Sequence, residues 1–288
     1  MDALELLHRS LPALLGVTAT LGLLVGSFLN VVILRLPVIM ERQWHRHCRE
    51  LQAKPGETLA DDPPFNLVTP RSHCPQCKMP LKTWHNIPLL SYLALQGRCA
   101  HCQARIPLRY PLIEGVTAVL SVTVAWHLGF SWQLLWALPL TWSLIALSVI
   151  DFDHQLLPDS ITLPLLWLGL LLSLFGIFTE PDEAIIGAAA GYLSLWTIYQ
   201  LFKLVTGKEG MGHGDFKLLA MLGAWLGWQS LLPIALLSSA VGAVVGITLV
   251  LTLGRDRQLP IPFGPYLACA GWLYLLWGDT LRALYLPQ

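Results

Sequence analysis

Hydrophobic and polar positions fall in long blocks along this chain rather than alternating residue by residue. Apolar runs occupy residues 11–34, 112–129, 132–150, 161–178, 184–202, 216–232, 233–253 and 265–281. Most come close to the roughly 20 residues that a helix needs to cross a bilayer, so the pattern predicts an all-α polytopic membrane protein with about eight transmembrane helices. Between the first two runs lies a polar stretch, 37–107, with repeated prolines and charges of both signs. The expected organisation is a first helix over 1–36, a small cytosolic Cys-rich insertion over 37–107, and a helical bundle over 108–288. The first run resembles a secretory signal, but such a core has about 7 to 15 apolar residues followed by a small-residue cleavage site. This one is longer and ends in Arg35, so it reads as a retained helix.

Composition supports the membrane reading. Of 288 residues, 55% are hydrophobic and 12% charged, about half the charged fraction of roughly 25% usual in soluble domains. The formal net charge is zero, yet 11 of the 18 Lys and Arg residues lie between Arg35 and Arg109. Basic residues flanking spans mark the cytoplasmic side. The insertion is therefore expected in the cytosol and the N-terminus outside. Counting spans from there, the third and fifth runs end on the cytoplasmic face, Arg255 and Arg257 lie inside, and the C-terminus lies outside. The run 216–232 is interrupted by Gly223, Gly227, Gln229 and Ser230, so it either spans or re-enters. The bilayer is an expected partner and nucleic acid is not.

Against this background two acidic sites stand out. Three alternate glycines in Gly210-Met211-Gly212-His213-Gly214-Asp215-Phe216-Lys217 predict a turned loop, because glycine loses the most backbone entropy on ordering. That loop delivers Asp215 to the mouth of an apolar run, where an ionisable group needs a reason. One reason is a helix N-cap; the other is chemistry. The second site, Asp151 to Asp159, follows the run that ends at Ile150, again on the expected cytoplasmic side. Asp151 directly ends the run, Asp153 points to another side of the helix end, and Asp159, followed by Ser160 and Thr162, reads as the N-cap of the next helix. Lys217 and His213 need no catalytic role.

Four of the six cysteines form two C-x-x-C pairs, Cys74/Cys77 and Cys99/Cys102, separated by 21 residues. That gap lies just beyond the usual 15 to 20 or so of a zinc ribbon. Four thiolates around one tetrahedral zinc make a closed, structural site; a disulfide or redox pair is the alternative, disfavoured in a reducing cytosol. Cys48 and Cys269 have no partner pattern.

The set of motifs resembles the type IV prepilin peptidase family, the bifunctional leader peptidases and N-methyltransferases of type IV pilus and type II secretion systems. Its marks are Gly26-Ser27-Phe28-Leu29-Asn30-Val31-Val32 leading to Arg35-Leu36-Pro37, the cysteine pairs, Arg109-Tyr110-Pro111-Leu112-Ile113-Glu114, Asp151 through Asp159, and Gly212 through Lys217, spread over nearly the whole chain. The resemblance implies a bacterial inner-membrane aspartic endopeptidase, with Asp151 and Asp215 as the catalytic pair. It also implies prepilin or pseudopilin substrates cut after a glycine that follows a basic leader. The new N-terminal amine would be methylated with S-adenosylmethionine. No glycine-rich nucleotide fingerprint is visible, so no cofactor-binding residue is assigned; the cysteine-rich insertion, including Gly97-Arg98-Cys99, is the natural place for that activity. Two carboxylates brought close cannot both ionise cheaply, so one would deprotonate water and the other polarise the scissile carbonyl.

Other classes make different demands. A transporter or channel places its acids near the bilayer midplane along a pathway. A zinc membrane protease needs an open metal site such as His-Glu-x-x-His, which is absent from the chain. An assembly protein with a zinc-stabilised docking domain leaves the acidic pair unexplained.

Overall fold

A computed structural model describes residues 3–53, 64–74, 76–80, 87–208, 210–253 and 261–285. Arg255 and Arg257, on which part of the expected topology rests, lie outside the described residues. Each of the eight apolar runs forms a helix, and the described residues contain no β-strand, only two isolated bridges. The protein is an all-α polytopic membrane protein. The chain divides into two compact units, residues 1–129 and 130–288.

The first unit holds α1 (Ala3–Arg9), α2 (Leu11–Gln52), a cysteine-bearing segment with the short α3 (Leu90–Ala94), and α4 (Arg109–Leu128). Ser10 caps α2 by accepting from the Ala13 N–H. The helix was expected to stop near residue 36, before Pro37. Instead α2 carries Pro37 in its interior and continues for 42 residues. Proline forfeits one backbone bond, but the residues beyond it are good helix formers linked at i,i+4, as in Arg46–Glu50 at 2.9 Å. At 1.5 Å per residue α2 is about 63 Å long, twice the thickness of the hydrocarbon core. Its polar C-terminal portion therefore projects beyond the lipid. Gly22 and Gly26 let α4 approach closely: a Cβ on Gly26 would sit 2.7 Å from the Glu114 Cα. Asn30, buried in this seam, donates to the Tyr110 carbonyl at 3.2 Å, so two of the sequence motifs are the two sides of one helix crossing.

The second unit contains α5 (Trp132–His154), α6 (Asp159–Ser173), α7 (Pro181–Thr206), α8 (His213–Leu226), a 3-10 turn (Trp228–Ser230), α9 (Leu231–Leu253) and α10 (Gly264–Tyr285). Its core is organised around α8, in which Phe216 and every residue from Leu218 to Trp225 are buried. A helix that is apolar on all sides belongs inside a bundle. α7 meets it backbone to backbone, since a Cβ on Gly187 would lie 2.3 Å from the Gly223 carbonyl and one on Gly191 2.7 Å from that of Leu219. Such small-residue seams are how helices pack closely in lipid. α6 is tied on by the Trp225 Nε1–H, which donates to the Leu165 carbonyl at 2.8 Å.

Among the described residues, α2, α4, α5, α7, and α9 with its preceding turn are long and apolar enough to cross a membrane. α8 has 14 residues, about 21 Å of helix, and stops at Gly227, whose φ is 78°. The polar residues that interrupt the run are paired: Gln229 donates to Glu183, Thr179 donates to the other Glu183 oxygen at 2.8 Å, and the Ser230 hydroxyl donates to the Gly227 carbonyl at 2.6 Å. Among the described residues no buried side-chain polar atom lacks a partner, as a low-dielectric interior demands.

Candidate active site

α5 ends in a left-handed residue, Gln155 (φ 53°), whose N–H bonds the Asp151 carbonyl at 2.8 Å. Asp151 thus occupies the last turn and faces inward with Ile150, only 5% exposed. Its Oδ2 accepts the Gly264 N–H at 3.0 Å. Gly264 is the first residue of α10, so a carboxylate at the end of one helix receives an orphan N–H from the start of another. Asp153 and His154 are exposed.

The glycine motif is not a free loop. Gly212 is the N-cap of α8, and His213, Gly214 and Asp215 form its first turn; the N-cap reading of Asp215 is therefore excluded. As the third residue of the helix, Asp215 reaches back with its carboxylate to the Gly212 N–H, the acidic half of a capping box. It is 7% exposed. The two acid-bearing helix ends converge on Leu157. A Cβ on Gly214 would stand 2.8 Å from the Leu157 Cβ, and one on Gly264 would stand 2.7 Å from Asp151 Oδ2 and 3.2 Å from Leu157 Cδ2. Glycine at these positions is what lets three helix ends meet. Two buried carboxylates, each steadied by a backbone N–H, have the equipment for acid–base work on a water molecule.

Neighbouring polar residues are otherwise engaged. The Asp159 reading as an N-cap is corrected: Pro158 holds that place, Asp159 is the first helical residue, and its two oxygens accept from Lys217 Nζ at 2.8 and 2.7 Å. Lys217 lies in α8, two residues beyond Asp215. The exposed His213 packs against the rings of Tyr199 (5.2 Å) and Phe216 (5.3 Å).

In the first unit the four sulfurs of Cys74, Cys77, Cys99 and Cys102 lie within 4.8 Å of one another, with Cys74 and Cys102 at 3.8 Å. Zinc–sulfur bonds of about 2.3 Å in a tetrahedron require sulfurs about 3.8 Å apart, so the donor set fits that ion. Each pair is built the same way. The Cys74 N–H bonds the Met79 carbonyl and the Lys78 N–H bonds back to Cys74; Cys99, Ala104 and Gln103 repeat the arrangement. Lys78 and Gln103 both have φ of 57°. The N–H groups of Cys77 and Gln76 draw the Cys74 thiol down to about 6. Those of Cys102 and His101 lower Cys99. The Ala104 N–H pulls on Cys102 likewise, but desolvation and the neighbouring thiols push it up to about 11. Cys48 and Cys269 are not members of the cluster.

Glu114 is a buried carboxylate that sequence reasoning passed over although it sat inside a quoted motif. It accepts the Leu89 N–H at 2.9 Å and a bond from Ser27, tying the turn before α3 to the α2–α4 crossing. Gly264 was missed too, because its distance from Asp151 in sequence hides the contact.

Comparison with known proteins follows the same division. Residues 20–128 match the bacterial peptidase A24 N-terminal domain, and residues 138–247 match the type IV leader peptidase family. The chain is 56% identical over 286 residues to a prepilin leader peptidase/N-methyltransferase of Stutzerimonas stutzeri, covering 99% of this chain and 98% of the relative. It is 57% identical over 272 residues to the protein so named in Pseudomonas aeruginosa, covering 93% and 92%. With the Aeromonas hydrophila protein of that name it shares 56% over 286 residues, 99% and 98% of the two chains. No solved structure matches. With identity this high over almost its full length, the chain belongs to the type IV leader peptidase family.

Proposed function

We propose that this protein is a prepilin leader peptidase and N-methyltransferase of the bacterial inner membrane, and that Asp151 and Asp215 are its proteolytic pair. The observation that carries the assignment is the placement of two buried carboxylates at the ends of α5 and α8, steadied by Gly264 and Gly212. The two acids share one proton. The ionised carboxylate takes a proton from a water, whose oxygen attacks the scissile carbonyl carbon, while the protonated partner donates to the carbonyl oxygen. Collapse of the tetrahedral species breaks the C–N bond as a proton passes to the departing amine. No acyl-enzyme forms.

The substrates are prepilins and pseudopilins. Their basic leader stays in the cytosol and their apolar helix lies in the bilayer, so a bond cut after glycine falls at the cytoplasmic interface. The charge rule places the ends of α5 and α7 at that interface and the cysteine segment in the cytosol. A zinc ion held by Cys74, Cys77, Cys99 and Cys102 would cross-link the two halves of that segment and take no part in proteolysis. S-adenosylmethionine supplies the methyl group for the new N-terminal amine; the described residues form no strand–turn–helix of the dinucleotide-binding kind, and no residue is assigned to it.

The test is cleavage of a prepilin in membranes, with product N-termini identified by mass. Asp151→Asn and Asp215→Asn should each lower turnover by about 10²- to 10⁴-fold while the protein remains inserted and folded. Asp153→Asn should keep at least about half the activity, since that side chain faces away. Near-normal cleavage by either of the first two variants would remove that aspartate from the pair.

A further inference from the structure

We infer that the Lys217–Asp159 ion pair is a clasp that sets the separation of Asp151 and Asp215, making Lys217 and Asp159 positioning residues for cleavage. The inference rests on the assignment of those two aspartates. Lys217 follows Asp215 by two residues in the first turns of α8, and Asp159 opens α6, eight residues after Asp151. The clasp therefore ties α8, which bears Asp215, to the start of α6, eight residues along the chain from Asp151, through both carboxylate oxygens of Asp159 at 2.7 and 2.8 Å. It is an ion pair formed wholly within the second unit.

α6 and α8 run side by side and are fastened twice. Trp225 grips the Leu165 carbonyl in the apolar interior, and Lys217 grips Asp159 at the end that carries the acids. Between α6 and α5 the chain passes through Leu157, which packs on Gly214 and Gly264, and Gly264 in turn holds Asp151. Motion of the α6 start relative to the α8 start is thereby transmitted to both carboxylates. Releasing the clasp leaves the Trp225 bond and the apolar core in place, so the helices stay packed and only the site end loosens. Because the pair is part exposed, with side chains 29% and 52% accessible, it adds little to global stability. Its effect belongs to geometry, and geometry is read in kcat: a displaced acid of about 1 Å is enough to cost about a hundredfold.

The experiment is steady-state cleavage of a prepilin by the full-length enzyme, comparing wild type, Lys217→Met, Asp159→Asn, Lys217→Arg, the exchange Lys217→Asp with Asp159→Lys, and Asp151→Asn. Thermal unfolding in detergent is followed for each. Both single neutral variants should lose about 10- to 100-fold in kcat with KM within about twofold and an unchanged unfolding temperature. Lys217→Arg should retain most activity, and the exchange should recover at least about fivefold over the worse single variant. The clasp is overturned if Lys217→Met keeps wild-type kcat, if its loss lies in KM, or if the exchange is no better than either single change. Should Asp151→Asn itself cleave normally, the assignment of the aspartates fails instead, and the two failures are distinguished in one experiment.

Discussion

At the level of single residues, the site depends on what is absent as much as on what is present. Gly264 donates its N–H to Asp151 and offers no Cβ, and a methyl group there would press on the carboxylate at 2.7 Å. Gly264→Ala should therefore lower cleavage by about 10- to 100-fold, equivalent to about 1.4 to 2.8 kcal/mol of lost transition-state stabilisation, without preventing insertion. Wild-type cleavage by Gly264→Ala would mean that the Asp151 carboxylate tolerates displacement. Asp151 stands out as a candidate in the sequence because it ends an apolar run abruptly, and the structure buries it while leaving Asp153 exposed. Asp215 stands out as a candidate in the sequence but not as a helical residue: three glycines suggest a loop, whereas Gly212 caps, Gly214 fits against Leu157, and Asp215 supplies its own capping bond. The roles of Asp159 and Lys217 could not be read locally, since a pairing across 58 positions leaves no mark on either neighbourhood.

Whole helices were the most legible features, because an apolar block long enough to cross a bilayer has few alternatives to helix when every backbone group must be bonded internally. The boundary at Pro37 was misjudged for a physical reason: proline removes one bond, and the residues that follow it restore the helix. The break after Leu226 was foreshadowed by Gly227, Gln229 and Ser230, but their partner Glu183 lies in α7 and emerged only with the fold. The α7–α8 seam yields a prediction at this scale. A Cβ on Gly187 or Gly223 would lie 2.3 or 2.2 Å from a backbone oxygen of the facing helix, so Ala at either position must force the backbones apart. Overpacking of this kind costs about 1 to 3 kcal/mol. Both variants should show a lower unfolding temperature in detergent and reduced cleavage. Gly16→Ala and Gly115→Ala, with nothing within 4 Å of the added carbon, should be neutral or slightly stabilising. Equal behaviour of all four would show that the seam is not tight.

For the molecule as a whole, the division into two units suggests that its chemistry is divided as well. If the cysteine cluster holds one structural zinc, the purified protein should contain about one zinc per chain. Replacing any of Cys74, Cys77, Cys99 or Cys102 by Ser should lower metal content and loosen the first unit, whereas Cys48→Ser and Cys269→Ser should not. Full zinc in Cys99→Ser and Cys102→Ser protein would defeat the assignment. Cleavage by assembled enzyme should resist chelators, because the acid–base step proposed for Asp151 and Asp215 uses no metal.

Methyl transfer provides the sharper test of that division. In the proposed mechanism proteolysis needs the two carboxylates, whereas methylation needs room for a soluble, charged methyl donor, and the sizeable polar stretch of the chain is the insertion between α2 and α4. Residues there are held by two independent devices, the four sulfurs and the Glu114 bonds to Leu89 and Ser27, and neither involves Asp151 or Asp215. Asp151→Asn and Asp215→Asn should therefore still methylate a mature, pre-cleaved pilin at close to the wild-type rate. Cys74→Ser with Cys102→Ser should impair methylation at least as much as it impairs cleavage. The measurement is transfer of label from S-adenosylmethionine to mature, unmethylated pilin. Normal transfer by protein whose cysteine segment has lost its metal and its order, or no transfer by a folded Asp215→Asn variant, would show that the two reactions are not separated along this line.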